Sequence, residues 1–472
     1  MRLSMHLALT LARHLPGRWL LCLWAGLLPL RADDAIDAFM RQQMDRAHIP
    51  GAAVAVIRNG RIEKLAAYGT ASLETGAPVT PDTPFQIASA TKLFTGVLLM
   101  QLVEEGKVDL DAPISTYVGE VPAPWRPITV RHLAAHASGM TPKMVGDPGQ
   151  SLAQVMKAAQ ALPLAAAPGA VSAYGSDDFS VLALILEKAG GRPFPDLLRE
   201  RVWKPLGLGH TAFEDVTEVG AVRTAEVIPG RASVYQWRGD RQRLHWFLYP
   251  VHAYAAGGAF VSLRDEASLL LAIDQGRLLS PRSREALWTP FRLNDGRPAG
   301  FGVTWSTGTL AGRPTTGHSG GPALSDVLYL PKERLGVIVF TNQQRLFPSL
   351  ARALAARLLP PGPFAAEAAP ADPEAPLTAR HRALIEALGR GQADPAAFSG
   401  EAAAALPEAQ PWLDLQLQPY GPLTRLVFQA ERSEGGHRVR IYRAFHEGGA
   451  TVAWTLTLEG QGRISDFDLK EE

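Results

Sequence analysis

Residues 84–106 read PFQIASATKLFTGVLLMQLVEEG, and the tetrapeptide Ser89-Ala90-Thr91-Lys92 at the head of its apolar run decides how the rest of the chain is read. From Leu93 to Val103 the stretch is apolar nearly all the way round and Gly106 follows, which predicts a buried helix rather than an amphipathic one. A hydroxyl and an amine three residues apart share one helix face, so Lys92 reaches the proton of Ser89 and turns a weak nucleophile into a usable one. The lead-in Pro84–Ala88 puts Ser89 in the first helical turn, where free backbone N–H groups and the positive end of the helix dipole favour developing negative charge. Lys92 is expected at the wet rim of this core helix, partly desolvated and less basic than usual.

The pair gains weight from what surrounds it. Tyr174-Gly175-Ser176 lies between Pro168-Gly169 and an apolar helix beginning at Phe179. A tyrosine hydroxyl is a poor base at its ordinary pKa of ~10, and a neighbouring ammonium such as Lys92 is expected to lower it. Further on, Thr316-Gly317-His318-Ser319-Gly320-Gly321 sets glycines beside a histidine. Backbone there approaches a ligand closely, and the N–H of Gly321 joins that of Ser89 as the two halves of an oxyanion hole.

Taken together, these three stretches resemble the serine β-lactamase and penicillin-binding-protein superfamily, in the branch of class C β-lactamases, D-alanyl-D-alanine carboxypeptidases and related esterases. The resemblance rests on Ser89 and Lys92, on Tyr174 to Ser176, and on His318-Ser319-Gly320 in place of a Lys-Thr-Gly strand motif. It also rests on Ile128 to Met140, Pro205–Leu208, Ala256–Gly258 and Phe301–Trp305, and it covers about 35–360. It implies that Ser89 is acylated by an ester, amide or lactam carbonyl and that Lys92 and Tyr174 share its proton. It also implies that His318, Ser176, Ser319 and Gly320 line the substrate cleft. No cofactor or metal is implied, and the partner is a small molecule, peptide or ester, with cell-wall-derived compounds in range. Class C β-lactamases usually carry asparagine at the position of Ser176 and lysine at that of His318. Ser176 offers no amide, and His318 is cationic only when protonated, so esters and peptides are expected over β-lactams. The alternatives are a class C-like β-lactamase and a noncatalytic binding or assembly protein that kept the fold.

Two other patterns compete for the same residues. Gly317-His318-Ser319-Gly320-Gly321 fits the G-x-S-x-G nucleophile elbow, but that motif needs a helix directly after the serine, and here more strand is predicted. His132 and His136 stand four apart, as metal ligands on a helix would, without the glutamate of the zinc-protease motif.

The fold class is α+β: an antiparallel sheet flanked by helices with an inserted helical region, then a small C-terminal module with a meander sheet. Ile36, Phe39, Met40, Met44 and Ala47 recur at helical spacing over 34–47. Val54–Arg58 and Ile62–Tyr68 flank Asn59-Gly60, a two-residue hairpin signal. Helices are expected over Phe179–Ala189, Phe194–Val202 and 348–359, and strands over Gly300–Ser306, Leu324–Leu330 and Leu335–Phe340. Strands at both ends with helices between them imply one sheet assembled from distant segments.

The expected boundaries are a signal peptide at 1–32, a hydrolase domain at 33–360, a proline- and alanine-rich linker at 361–377 and the C-terminal module at 378–472. That module should hold a helix over Ala379–Leu388 and strands at 423–432, 437–446, 450–458 and 463–469, resembling nuclear transport factor 2. His437 and His446 read as ordinary strand residues.

Composition bounds the function. With 46% hydrophobic and 20% charged residues among 472, the chain is ordinarily globular, and its net charge of +1 carries no basic stripe for nucleic acid. Arg2, Arg13 and Arg18 precede the apolar run Trp19–Leu28 and acidic Asp33-Asp34, the pattern of a secretory signal cleaved near Ala32. Periplasmic or secreted localisation follows, with no membrane span after cleavage. Cys22 is the single cysteine, so the mature chain would have no disulfide and no thiol nucleophile.

Overall fold

The computed structural model describes residues 34–472 apart from 143–146, 148, 215, 220–221, 248, 322–323, 345–349, 367–368 and 461. The expected signal peptide and Cys22 lie outside the described residues. A helix forms over Ala35–Ala47, as its apolar spacing predicts.

From residue 43 onward, a seven-stranded sheet runs through the chain as far as Thr341. Its order is Ser306–Leu310, Arg313–Gly320, Ser325–Leu330, Leu335–Thr341, Gly51–Arg58, Arg61–Ser72, Ala77–Pro78, and every pairing is antiparallel. Gly51–Arg58 pairs with Leu335–Thr341, so the first long strand and the last are central neighbours, the closure implied by strands at both ends of the domain. Asn59 and Gly60 sit at φ 49° and 75°, the left-handed pair that a two-residue hairpin requires and that asparagine and glycine tolerate. Both central strands are buried, and they read as near-continuous apolar runs because helices cover the sheet.

The serine helix, Thr91–Glu104, is buried at every position from Thr91 to Met100 and again at Leu102. Leu93, Phe94, Val97 and Leu98 are wholly inaccessible, each contributing about 1.5–3 kcal/mol of transfer free energy. Polar bolts fix its register. Thr95 Oγ1 donates to Ala255 O at 2.8 Å, Thr304 Oγ1 donates to Lys92 O at 2.8 Å, and Trp305 Nε1 donates to Leu93 O at 3.2 Å.

The strand expected over Gly300–Ser306 does not form. Phe301 makes one bridge to Ser306, the chain bends through Gly302–Trp305 with Thr304 at φ 64°, and the strand runs from Ser306 to Leu310. Thr304 and Trp305 are spent on the serine helix instead, so their period of two carries no ladder.

Beyond the sheet, the four C-terminal strands Leu423–Glu434, His437–His446, Thr451–Glu459 and Arg463–Glu471 pair in sequence order, as a meander. The helix there begins at Ala375, inside the tract whose composition marks a linker, and Leu377 in that tract is buried. A second helix, Gly400–Leu417, was not expected because Pro407 and Pro411 stand inside it. His446 is buried with Nδ1 bonded to Gly421 O at 2.9 Å, while His437 is exposed. Among the described residues no helix is long and apolar enough to cross a membrane.

Candidate active site

Ser89 occupies a 3₁₀ turn, Ala88–Ala90, that runs directly into the serine helix, rather than the first α-helical turn. The turn is set by its neighbours. Ala88 has φ 47°, a left-handed conformation costing a non-glycine residue about 1–3 kcal/mol unless its surroundings impose it. Ile87 N donates to Ala259 O at 3.1 Å, Ser325 Oγ donates to Ile87 O at 2.5 Å, and Thr91 Oγ1 donates to Ala88 O at 2.7 Å. Gly320 completes the brace: a Cβ there would stand 1.9 Å from Ile87 O, so the strand end closes against this turn only because the residue is glycine.

Three side chains form an unbroken line. Tyr174 Oη donates to Ser89 Oγ at 2.8 Å, and Lys92 Nζ donates to Tyr174 Oη at 2.7 Å and to Ala256 O at 2.6 Å. Lys92 is not at a wet rim. It is 1% exposed, and its ammonium position lies 4.9 Å from the ring centroids of both Tyr174 and Phe179. Desolvation pulls its pKa down from 10.5 to about 7, with the Asp178 carboxyl opposing. Tyr174 departs from expectation in the other direction: desolvation of its hydroxyl raises the pKa, and the bond to Ser89 only partly offsets this. The expected lowering presumed a permanent ammonium at Lys92, and burial removes that charge over much of the neutral range. At neutral pH the site therefore holds a phenol bridging a hydroxyl to an amine that is substantially unprotonated, an arrangement able to carry a proton from Ser89 through Tyr174 to Lys92.

His318 is 6% exposed, its Nδ1 bonded to Ser319 O at 2.6 Å, within 6.0 Å of the rings of Tyr174 and Phe301. Burial, then the nearby Lys92, holds its pKa well below the usual value, so it is neutral and supplies no cation for a substrate carboxylate. Gly320 and His318 share one face of the strand Arg313–Gly320, and Ser319 takes the other. The Ser319 hydroxyl donates to Asp326 Oδ1 at 2.9 Å, and Asp326 Oδ2 accepts from Ala351 N at 2.7 Å. The Ser319 hydroxyl is thus engaged on the strand face opposite His318. No nucleophile elbow exists there either, since Ser319 lies within a strand that is paired on both sides. Gly321 follows in the exposed turn after the strand, and Ser176 takes the N-cap position of the helix Asp177–Gly190 without a side-chain cap bond.

The His132 and His136 rings do separate work. His132 Nδ1 accepts from Thr129 N at 3.1 Å in a capping box, while His136 is buried with Nδ1 3.2 Å from Asp178 Oδ2. Asp178 and the carbonyl of Ala256 are the parts of the site that sequence reasoning passed over. A second acidic residue in a helix's first turn reads as a dipole-complementing charge, and only the apolar run that follows, Phe179 to Leu186, hints that it is buried.

The β-lactamase family model matches residues 36–360. The chain is 29% identical over 245 residues to the teichoic acid D-alanine hydrolase of Staphylococcus aureus, a match covering 50% of this chain and 58% of that relative's length. Among solved structures it is similar to the octameric penicillin-binding protein homologue from Pyrococcus abyssi, with a TM-score of 0.59 and 20% identity over 92% of this chain and 98% of that one. It also resembles the D-amino acid amidase of Ochrobactrum anthropi SV3, with a TM-score of 0.54 and 23% identity over 65% and 91% of the two chains. At these identities the structural matches speak for the fold. With the family model spanning most of the sequence, the chain belongs to the β-lactamase family of hydrolases.

Proposed function

We propose that this chain is an exported serine hydrolase that cleaves ester or peptide and amide bonds through an acyl-enzyme. The observation that carries the reading is the continuous hydrogen-bonded line from Ser89 through Tyr174 to a buried, weakly basic Lys92. With Lys92 unprotonated the two hydroxyls rotate so that both hydrogen bonds run toward the amine lone pair, and Ser89 Oγ then attacks the substrate carbonyl carbon while its proton passes to Tyr174 Oη and the phenol proton to Lys92 Nζ. The N–H groups of Ser89 and Gly321 receive the oxyanion, and each is worth on the order of a hundredfold in rate. Collapse of the tetrahedral adduct expels the leaving group, which takes the proton back through the same line. Water, giving its proton to Lys92 along that line, then attacks the acyl carbonyl, and the same proton returns to Ser89 Oγ as the free acid leaves.

Neutral His318 and the absence of an amide at Ser176 weigh against a β-lactam as the preferred substrate, because its carboxylate finds no fixed cation there. The staphylococcal relative, a teichoic acid D-alanine hydrolase, and the D-amino acid amidase make D-alanyl esters and D-amino acid amides the first compounds to try. Export through residues 1–32 belongs to the proposal and is checked by N-terminal sequencing of protein recovered outside the cytoplasm.

The test is a panel of short-chain nitrophenyl esters, D-alanyl esters, D-amino acid amides and a chromogenic cephalosporin, run on wild type and Ser89→Ala. Ester or amide turnover that Ser89→Ala lowers by on the order of a thousandfold or more is expected. Cephalosporin turnover far above the esters would reverse the substrate ranking, and activity surviving in Ser89→Ala would remove the mechanism.

A further inference from the structure

Asp178 is the buried ionisable group at the base of the site to which the relay assigns no task. It stands in the first turn of the helix Asp177–Gly190, 4% exposed, with the Ser138 hydroxyl and the His136 ring as its polar neighbours. Among the described residues its ion-pair neighbour is His136, through Oδ2 and Nδ1 at 3.2 Å. That same Nδ1 accepts the backbone N–H of Gly175 at 3.3 Å, and a ring nitrogen that accepts a hydrogen bond carries no hydrogen of its own. An ionised Asp178 would therefore present lone pairs to a lone pair. The 3.2 Å contact is a hydrogen bond only if the carboxyl supplies the hydrogen. The other ring nitrogen, Nε2, has no hydrogen-bond partner and belongs to a ring surrounded by Tyr174, Phe179 and Phe301, company that suits an N–H better than a bare lone pair.

We propose that Asp178 is a standing carboxylic acid at neutral pH, a positioning residue whose O–H is donated to His136 Nδ1, fixing that ring beneath Tyr174 and leaving Lys92 without a counter-anion. The polar groups that face it favour the ionised form, and desolvation outweighs them. Lys92 faces it from the serine helix, His132 and His136 from the segment around Val130–Ala134, and Ser138 from the turn beyond. Desolvation raises the Asp178 pKa to about 8 against the opposing pull of Ser138, Lys92 and His132. Desolvation, then the charge of Lys92, holds His136 well below its usual value against the opposing pull of the Gly175 backbone, so its ring is neutral. The ring centroids of His136 and Tyr174 are 4.5 Å apart, and Gly175 follows Tyr174 directly, so the acid anchors both the ring and the backbone of the relay's middle member. An ionised carboxylate in its place would hold a proton on Lys92 and suppress the base.

This inference rests on the proposed role of Lys92 for its consequence, but two of its tests need no turnover. In ¹⁵N-labelled wild type at neutral pH, His136 is expected as the Nε2–H tautomer with a bare Nδ1, assigned by comparison with His136→Gln. The infrared difference between wild type and Asp178→Asn is expected to show the loss of a protonated carboxyl band. In Asp178→Asn the amide N–H replaces the donated hydrogen, so the acid limb of the pH–rate profile is expected to superimpose on that of wild type. In Asp178→Ala, kcat is expected to fall by on the order of tenfold to a hundredfold with little change in KM, because Tyr174 loses its anchor. His136 protonated at Nδ1, no carboxylic acid band lost, or an acid limb displaced by about one pH unit or more in Asp178→Asn would each overturn the inference. If Asp178→Asn fails to fold, the tautomer measured in wild type decides. If hydrolysis itself fails, the tautomer and infrared readouts still decide the state of Asp178.

Discussion

Lys92 and Arg440 are both buried basic side chains, 1% and 0% exposed, and they are treated in opposite ways. Arg440, in the C-terminal sheet, meets Asp372 at 2.6 Å, Glu374 at 3.4 Å and Glu431 at 3.5 Å, and its guanidinium lies over the ring of Phe428. Lys92 has only a phenol and a backbone carbonyl. Three carboxylates around a buried guanidinium tie separate chain segments together, whereas an amine hydrogen-bonded only to neutral groups loses basicity on desolvation and becomes a proton acceptor. Burial alone does not separate structure from chemistry; the presence of a counter-anion does.

The largest expected break in this comparison is Lys92→Met. Ester hydrolysis should fall by on the order of a thousandfold or more, while the thermal midpoint rises, because an apolar side chain of similar length replaces a desolvated amine. Melting curves beside initial rates check both signs at once, and a lowered midpoint would mean that Lys92 is a structural cation after all. Arg440→Met should act in reverse, costing about 1–3 kcal/mol by leaving Asp372 without its cation while Glu374 and Glu431 keep Arg438, with kcat per folded molecule unchanged. Urea titration with active-site counting measures it.

The pH dependence sharpens the contrast next. Activity should climb as pH rises through about 7, where Lys92 gives up its proton. Its folded-state pKa lies below the ordinary value of 10.5, so the folded protein binds fewer protons than the unfolded chain between about 7 and 10.5. This group's contribution to stability is therefore present in full above that window and is lost as pH falls toward 7. Wild type should gain stability relative to Lys92→Met as pH is raised across it, and parallel stability curves for the two proteins would contradict the shift. The smallest effect belongs to an exposed pair. Arg382 and Glu386, one helical turn apart at 3.0 Å, should yield about 0.3–0.5 kcal/mol when Glu386→Gln separates them, fading with salt.

Much of the fold was legible because it is written locally. Asn59-Gly60 predicts its hairpin, the runs Leu324–Leu330 and Leu335–Phe340 locate two central strands to within a residue, and the four C-terminal strands follow from their glycine turns. The residues of the site were legible by type and spacing, while their states were not. How deeply Lys92 is buried depends on Ala256 and Phe179, far away in sequence, and desolvation of the Tyr174 hydroxyl itself reverses its expected shift. Which face of its strand Ser319 takes is not legible in the sequence, because alternation is decided by the neighbours, and Asp326, bonded in turn to Ala351, takes its hydroxyl. Thr304 and Trp305 looked like strand because their contacts are with the serine helix rather than with a ladder.

The left-handed backbone at Ala88 has a consequence for anyone moving this chemistry elsewhere. The angle that presents Ser89 is imposed by Ala259, Ser325 and Gly320, three residues from other strands and loops. Ser89-Ala90-Thr91-Lys92 is therefore not a portable cassette. Grafted onto the head of another helix it would carry the side chains and leave behind the posture, and a designer would have to transplant the brace before the tetrapeptide.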